Sequence, residues 1–169
     1  MNTELLFQAI QTAAVVIGVG FAVYETRKYR RKREREAALE LLHAFQTPEF
    51  AKALVLVYRL RDGLSKREIE ETLGEDIYVV YALMTTLESL GILVHRGEFN
   101  VDLVDDFFSG PIVVSWRKLK NYVANDRQDA GRETISEWFQ WLAEAFMARE
   151  STRTPVPAHI QFRNHRLSG

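Results

Sequence analysis

The sequence predicts a mainly α protein: one N-terminal transmembrane helix continuing into a juxtamembrane helix, then a cytoplasmic helical domain with at most one short β-hairpin. Three observations carry this reading. Residues 5–24, "LLFQAIQTAAVVIGVGFAVY", hold no charge, and as a helix they would be about 30 Å long, the thickness of a bilayer's hydrocarbon core. Seven Lys and Arg follow between Arg27 and Arg35. Beyond them, capping motifs alternate with apolar positions at helical spacing.

Residues 1–4 precede the span and contain no base. Lys and Arg beside a span stay on the cytoplasmic side, so the N-terminus is expected outside and everything from Glu25 onward inside. Arg27, Lys28, Arg30, Arg31, Lys32, Arg33 and Arg35 thereby set the topology. They would also lie among anionic lipid headgroups, each worth at most about 1 kcal/mol. A cleaved signal peptide would place its bases before the apolar run instead. The glycine pair in "VVIGVG" is too little for a dinucleotide-binding turn, because Val23 stands where a third glycine is needed.

Within the span, Ala14, Gly18 and Ala22 recur every four residues on one face. Small residues at this spacing let helix backbones approach closely in lipid. A membrane protein, or a second copy of the chain, is the partner expected there.

No proline or glycine interrupts residues 25–46, so the membrane helix is expected to continue as a basic juxtamembrane rod. The helical domain is expected over 47–150. Thr47-Pro48 reads as an N-cap and first turn, opening a helix with Phe50, Leu54, Val57 and Tyr58 on one face and Gly63 after it. Ser65-Lys-Arg-Glu68 reads as a capping box, with Gly74 closing that short helix. "EDIYVVYALMTTLESLG" follows, with Gly91 expected as its stop. "ILVHRGEFNV" is the one stretch suited to a hairpin, turning at Arg96-Gly97. Asn100 is expected to cap "VDLVDDFF", and Gly110-Pro111 to open a further helix with Ile112, Trp116, Leu119 and Val123 on one stripe. Thr134-Ile-Ser-Glu137 reads as a second capping box before Trp138, Leu142, Ala145 and Phe146. Residues 151–169 form a basic tail with two prolines and no acids, of the kind usually disordered.

Composition narrows the chemistry. Residues 36–169 hold 15 Lys and Arg against 20 Asp and Glu, a poor basis for nucleic-acid binding. The absence of cysteine excludes disulfides, thiolate metal sites and thiol nucleophiles. His43, His95, His159 and His165 share no metal-ligand spacing. Asp102, Asp105 and Asp106 read as acids favoured at a helix start rather than a cation site. No catalytic, cofactor or metal residue is assigned. Trp116 and Trp138 fall on apolar stripes, whereas Trp141 falls off its stripe and is a candidate partner contact, together with Arg96 and Phe162.

Residues 64–99 also have the outline of a winged helix-turn-helix. Its groove-reading helix would need exposed Arg, Lys, Asn or Gln, yet residues 75–90 contain none of these and carry Glu75, Asp76 and Glu88.

The stretches "EAALELLHAFQTPEFAKAL", "LESLGILVHRGEFNVDLVDDFFSGPIVVSW" and "EWFQWLAE" resemble a bacterial family known as domain of unknown function 4760. That resemblance implies a bacterial, membrane-anchored helical protein and transfers no activity to any residue. The expectation is therefore a non-catalytic, single-pass adaptor or accessory subunit in the bacterial cytoplasmic membrane. A membrane-tethered winged-helix regulator binding DNA is the alternative, and an enzyme with an unrecognised site a third.

Overall fold

The computed structural model describes residues 17–26, 28–29, 36, 39, 43, 45, 47–152 and 156–163. The chain divides into two units, residues 1–45 and 46–169. In the first unit, residues 17–26 are helical (α1), and every one of them is exposed. Gly18 has open space where a Cβ would stand. Thr26 donates its hydroxyl to the Ala22 carbonyl at 2.7 Å, and Lys28 lies 3.9 Å from Glu25. Of the residues expected to pack in or beside the membrane, Ala14, Arg27, Arg30, Arg31, Lys32, Arg33 and Arg35 lie outside the described residues.

The second unit is helical throughout, with no strand among the described residues. Its elements are α2 (Pro48–Arg59), α3 (Lys66–Leu73), a 3₁₀ turn (Gly74–Asp76), α4 (Ile77–His95), α5 (Val101–Ala130), α6 (Glu137–Thr152) and the single turn α7 (Ala158–Gln161). Helix α4 packs against α6 and α2, and α5 packs against α6, α2 and α3. The core gathers Val57 from α2, Ile69 from α3, Leu87 and Leu90 from α4, Ile112 and Leu119 from α5, and Phe139, Leu142 and Phe146 from α6. Burying each such side chain contributes roughly 1.5–3 kcal/mol.

Several helix starts follow local chemistry as the sequence predicts. The Thr47 hydroxyl accepts from the Phe50 N–H at 3.1 Å. Ser65 and Glu68 close a reciprocal capping box, and Gly74 caps α3 at φ 54°. Asn100 accepts from the Asp102 N–H at 2.8 Å. The stripe of Ile112, Trp116, Leu119 and Val123 is buried.

Elsewhere the tertiary structure overrides the local reading. The buried line of α2 is Ala53 and Val57, continued by Leu60, while Tyr58 is exposed. Gly110-Pro111 does not open a helix: α5 runs unbroken for 30 residues with Pro111 inside it, about 45 Å at 1.5 Å per residue. A proline there forfeits one backbone hydrogen bond and crowds the preceding turn. Both the Asn100 cap and the buried stripe on either side hold the helix continuous.

Gly91 does not end α4, which continues through it to His95. The segment suited to a hairpin is instead the last turn of that helix and its cap. Gly97, at φ 71°, donates to the Val94 carbonyl at 3.0 Å, and the Glu98 N–H reaches back to Leu93 at 3.0 Å. Val94 is buried in that turn, so one apolar side chain satisfies a helix as well as it would a strand.

One described helical run, Lys66–His95, is long and apolar enough to cross a membrane, with a window of mean hydropathy 1.8 that is 39 % buried within the fold. Its apolar positions Val80, Leu83, Leu87, Leu90 and Val94 belong to the core, a use of hydrophobic length that needs no bilayer.

Candidate interaction surface

The C-terminal half of α4 and the first turns of α6 meet at a tight crossing. At Gly91, a Cβ would stand 2.7 Å from the Trp138 carbonyl carbon and 2.9 Å from its Cβ, closer than real side chains come. Only glycine allows the backbones to approach this far. One turn earlier on α4, Glu88 points at the open N-terminus of α6. Its carboxylate accepts from the Phe139 N–H at 2.7 Å and also bonds the Trp138 N–H.

This carboxylate replaces the local capping box expected at Thr134–Glu137. The helix begins at Glu137, too late for Thr134 to be its cap, and Thr134 instead accepts from Arg132 Nε at 2.9 Å. Ser136 stands at φ 53°, the left-handed region, so the chain turns sharply before entering the helix. A half-buried carboxylate at a helix N-terminus satisfies unpaired donors and meets the positive end of the helix dipole. Burial nonetheless holds the Glu88 carboxyl above its ordinary value, outweighing the two backbone donors.

The crossing fixes a cluster of three rings. His95, the last residue of α4, lies 4.5 Å from Trp138 and 5.6 Å edge-on to Trp141. The two tryptophans are themselves 6.1 Å apart and T-shaped. Such edge-to-face geometry is favourable between rings. Beneath it, Phe139 points inward and meets Trp116 of α5 at 5.3 Å, also edge to face. Trp138 is half-buried beside the core rather than on the fully buried stripe, which consists of Phe139, Leu142, Ala143 and Phe146. Trp141 remains 39 % exposed, as its position off the stripe predicts.

Among the expected contact residues, the fold brings Trp141 and Arg96 to this region, Arg96 being the exposed C-cap next to His95. Phe162 belongs to a different place, the C-cap of α7, where it is exposed. Sequence reasoning missed His95 as part of the cluster, because helical spacing on α4 carries no information about which residues of α6 lie opposite.

Two other charged groupings are structural in form. Arg149 of α6 lies 2.8 Å from Asp102 and 3.1 Å from Asp105, so a guanidinium occupies the space between these acids. Lys66 at the start of α3 bridges Asp126 at 3.0 Å and Asp129 at 2.8 Å on α5, and its ammonium sits 5.8 Å from the Tyr122 ring centre. Burial and the neighbouring acids push the Tyr122 hydroxyl up to about 12. No group of three or more metal-ligating side chains occurs among the described residues.

Comparison with known proteins gives a family and no activity. No curated protein and no solved structure matches the chain. The family described as a domain of unknown function, number 4760, matches residues 12–146. That match spans α1 through most of α6, including the α4–α6 crossing and its ring cluster, and the chain therefore belongs to the domain of unknown function 4760 family.

Proposed function

We propose that this protein is a non-catalytic, single-pass adaptor or accessory subunit of a membrane protein assembly. In this reading, residues 5–24 span a bacterial cytoplasmic membrane with the N-terminus outside, and the helical unit is cytoplasmic. The observation that carries the adaptor role is the ring cluster of His95, Trp138 and Trp141 beside Arg96. An exposed tryptophan held rigid by two neighbouring rings loses little side-chain entropy on binding, and Trp and Arg are the side chains that dominate protein contacts. Support for the anchor comes from the apolar, exposed residues Ile17, Val19, Phe21 and Val23, and from the basic run that follows them. The DNA-reading alternative has less behind it. Its wing would be the Arg96-Gly97 hairpin, which is a helix end, and α4 turns no Arg or Lys outward between Tyr78 and Ser89.

Extraction of the full chain in mild detergent, followed by pull-down and partner identification, tests the proposal. A stable complex is expected, weakened by Trp141→Ala with unchanged helical circular dichroism. Gly18→Leu is expected to weaken the membrane contact separately. A chain recovered as a lone monomer in that pull-down sinks the adaptor reading.

A further inference from the structure

Helix α4 has a second face, turned away from α6 and the core. Tyr78, Tyr81, Ala82, Thr85 and Ser89 lie along it, all exposed, with Tyr78 at 78 % and Tyr81 at 50 %. In α2, α3, α5 and α6 the exposed side chains include Lys52, Arg67, Lys120 and Glu144. The α4 face carries no Asp, Glu, Lys or Arg from Tyr78 to Ser89, about three turns.

Its two aliphatic hydroxyls are bonded back to the helix itself. Thr85 donates to the Tyr81 carbonyl at 3.1 Å and Ser89 to that of Thr85 at 2.9 Å. Hydroxyls bonded one turn back leave methyl, methylene and ring surface along the middle of the face, with the two tyrosine hydroxyls at its rim.

Charge appears only at the two ends. Glu75 precedes the helix and Arg96 caps it, both exposed, and none of the described ion pairs uses either. A surface with an acid at one end, a base at the other and an uncharged middle complements itself when turned end for end. Antiparallel packing of two α4 helices would bring each Glu75 to the other copy's Arg96 and would oppose the two helix dipoles. Ala82, Thr85 and Ser89 at the centre are small enough for close approach, and each Tyr78 would cover the smaller residues near the partner's C-terminal half. The interface is isologous, so one patch serves both copies.

We infer that the outward face of α4 is a homodimer interface, formed by antiparallel α4 helices and bracketed by two Glu75–Arg96 pairs. It is distinct from any association through Gly18, and it shares only Arg96 with the Trp141 surface.

The chain has no cysteine, which permits a direct test in the full-length protein in mild detergent. A Thr85→Cys chain is expected to form a disulfide-linked dimer under mild oxidation, because position 85 lies near the two-fold axis. A Lys120→Cys chain, exposed on α5, serves as the control and is expected to stay monomeric. Adding Glu75→Arg to the Thr85→Cys chain should lower the dimer yield several-fold, and adding Arg96→Glu as well should restore it. Adding Gly18→Leu should leave the yield unchanged, which separates this contact from the membrane helix. Equal cross-linking at positions 85 and 120, or none at 85, overturns the inference. Quenching at position 85 by nitroxide-labelled lipid, with no dimer, would instead identify lipid as the occupant.

Discussion

Helices α4 and α5 are both long and both central, yet they use their sequence differently. Helix α5 is amphipathic in the ordinary way, burying Ile112, Leu119 and Val123 while showing Arg117 and Lys120 to solvent. Helix α4 is apolar on nearly every side. One face makes the core and the tight crossing with α6, and the opposite face is left uncharged in solvent. A helix that is hydrophobic all round is normally covered all round. The contrast teaches that apolar surface beyond what a helix's own fold consumes carries information about function, whereas α5 carries information mainly about stability.

Mutations that separate the two α4 faces sharpen this contrast. The largest effect is expected on the inward side, where Phe139→Ala should destabilise the chain by about 3–5 kcal/mol, measured by chemical denaturation in mild detergent. Next is Gly91→Val, whose side chain must displace the Trp138 backbone. A loss of about 1–3 kcal/mol is expected, with altered tryptophan fluorescence because Trp138 and Trp141 move with α6. A pH titration of unfolding then addresses Glu88. Its folded-state value is raised by burial, so the folded chain binds more protons than the unfolded chain between the ordinary carboxylate range and that raised value. Stability contributed by this group should fall as pH rises through the window. Glu88→Gln, which can still accept from the Phe139 N–H, should flatten that fall. The smallest effect belongs to the outward face, where Tyr78→Ser should change stability by less than about 0.5 kcal/mol. A large loss there would mean that the two faces are not separable.

Legibility in the sequence followed the range of the interactions. The Thr47, Ser65 and Asn100 caps were readable because donor and acceptor lie within three residues of each other, and local geometry alone closes the bond. The α5 stripe was readable because burial of one helix face imposes a 3.6-residue period. Gly91 and Pro111 were misread for a common reason. Each is a local helix breaker worth roughly 1–3 kcal/mol, and each is outweighed by packing partners distant in the chain. The same holds for the cap of α6, where Glu88 is 51 residues from Phe139. No periodicity or motif can announce a carboxylate supplied from another helix.

The candidate surface divides along the same line. Trp141 and Arg96 stood out in the sequence, one by its departure from an apolar stripe and the other by its place in a turn. Their neighbourhood did not, since His95 and Trp138 join them only through the α4–α6 crossing. By itself, the sequence determined the helical class, several helix starts, the basic run after an uncharged stretch, and the absence of thiol chemistry. These depend on composition, spacing and bonds between near neighbours. Only the tertiary structure decided where α4 and α5 end, which carboxylate caps α6, and which apolar face of α4 stays uncovered. Those outcomes depend on which surfaces meet, and surfaces meet through contacts between residues far apart in the chain.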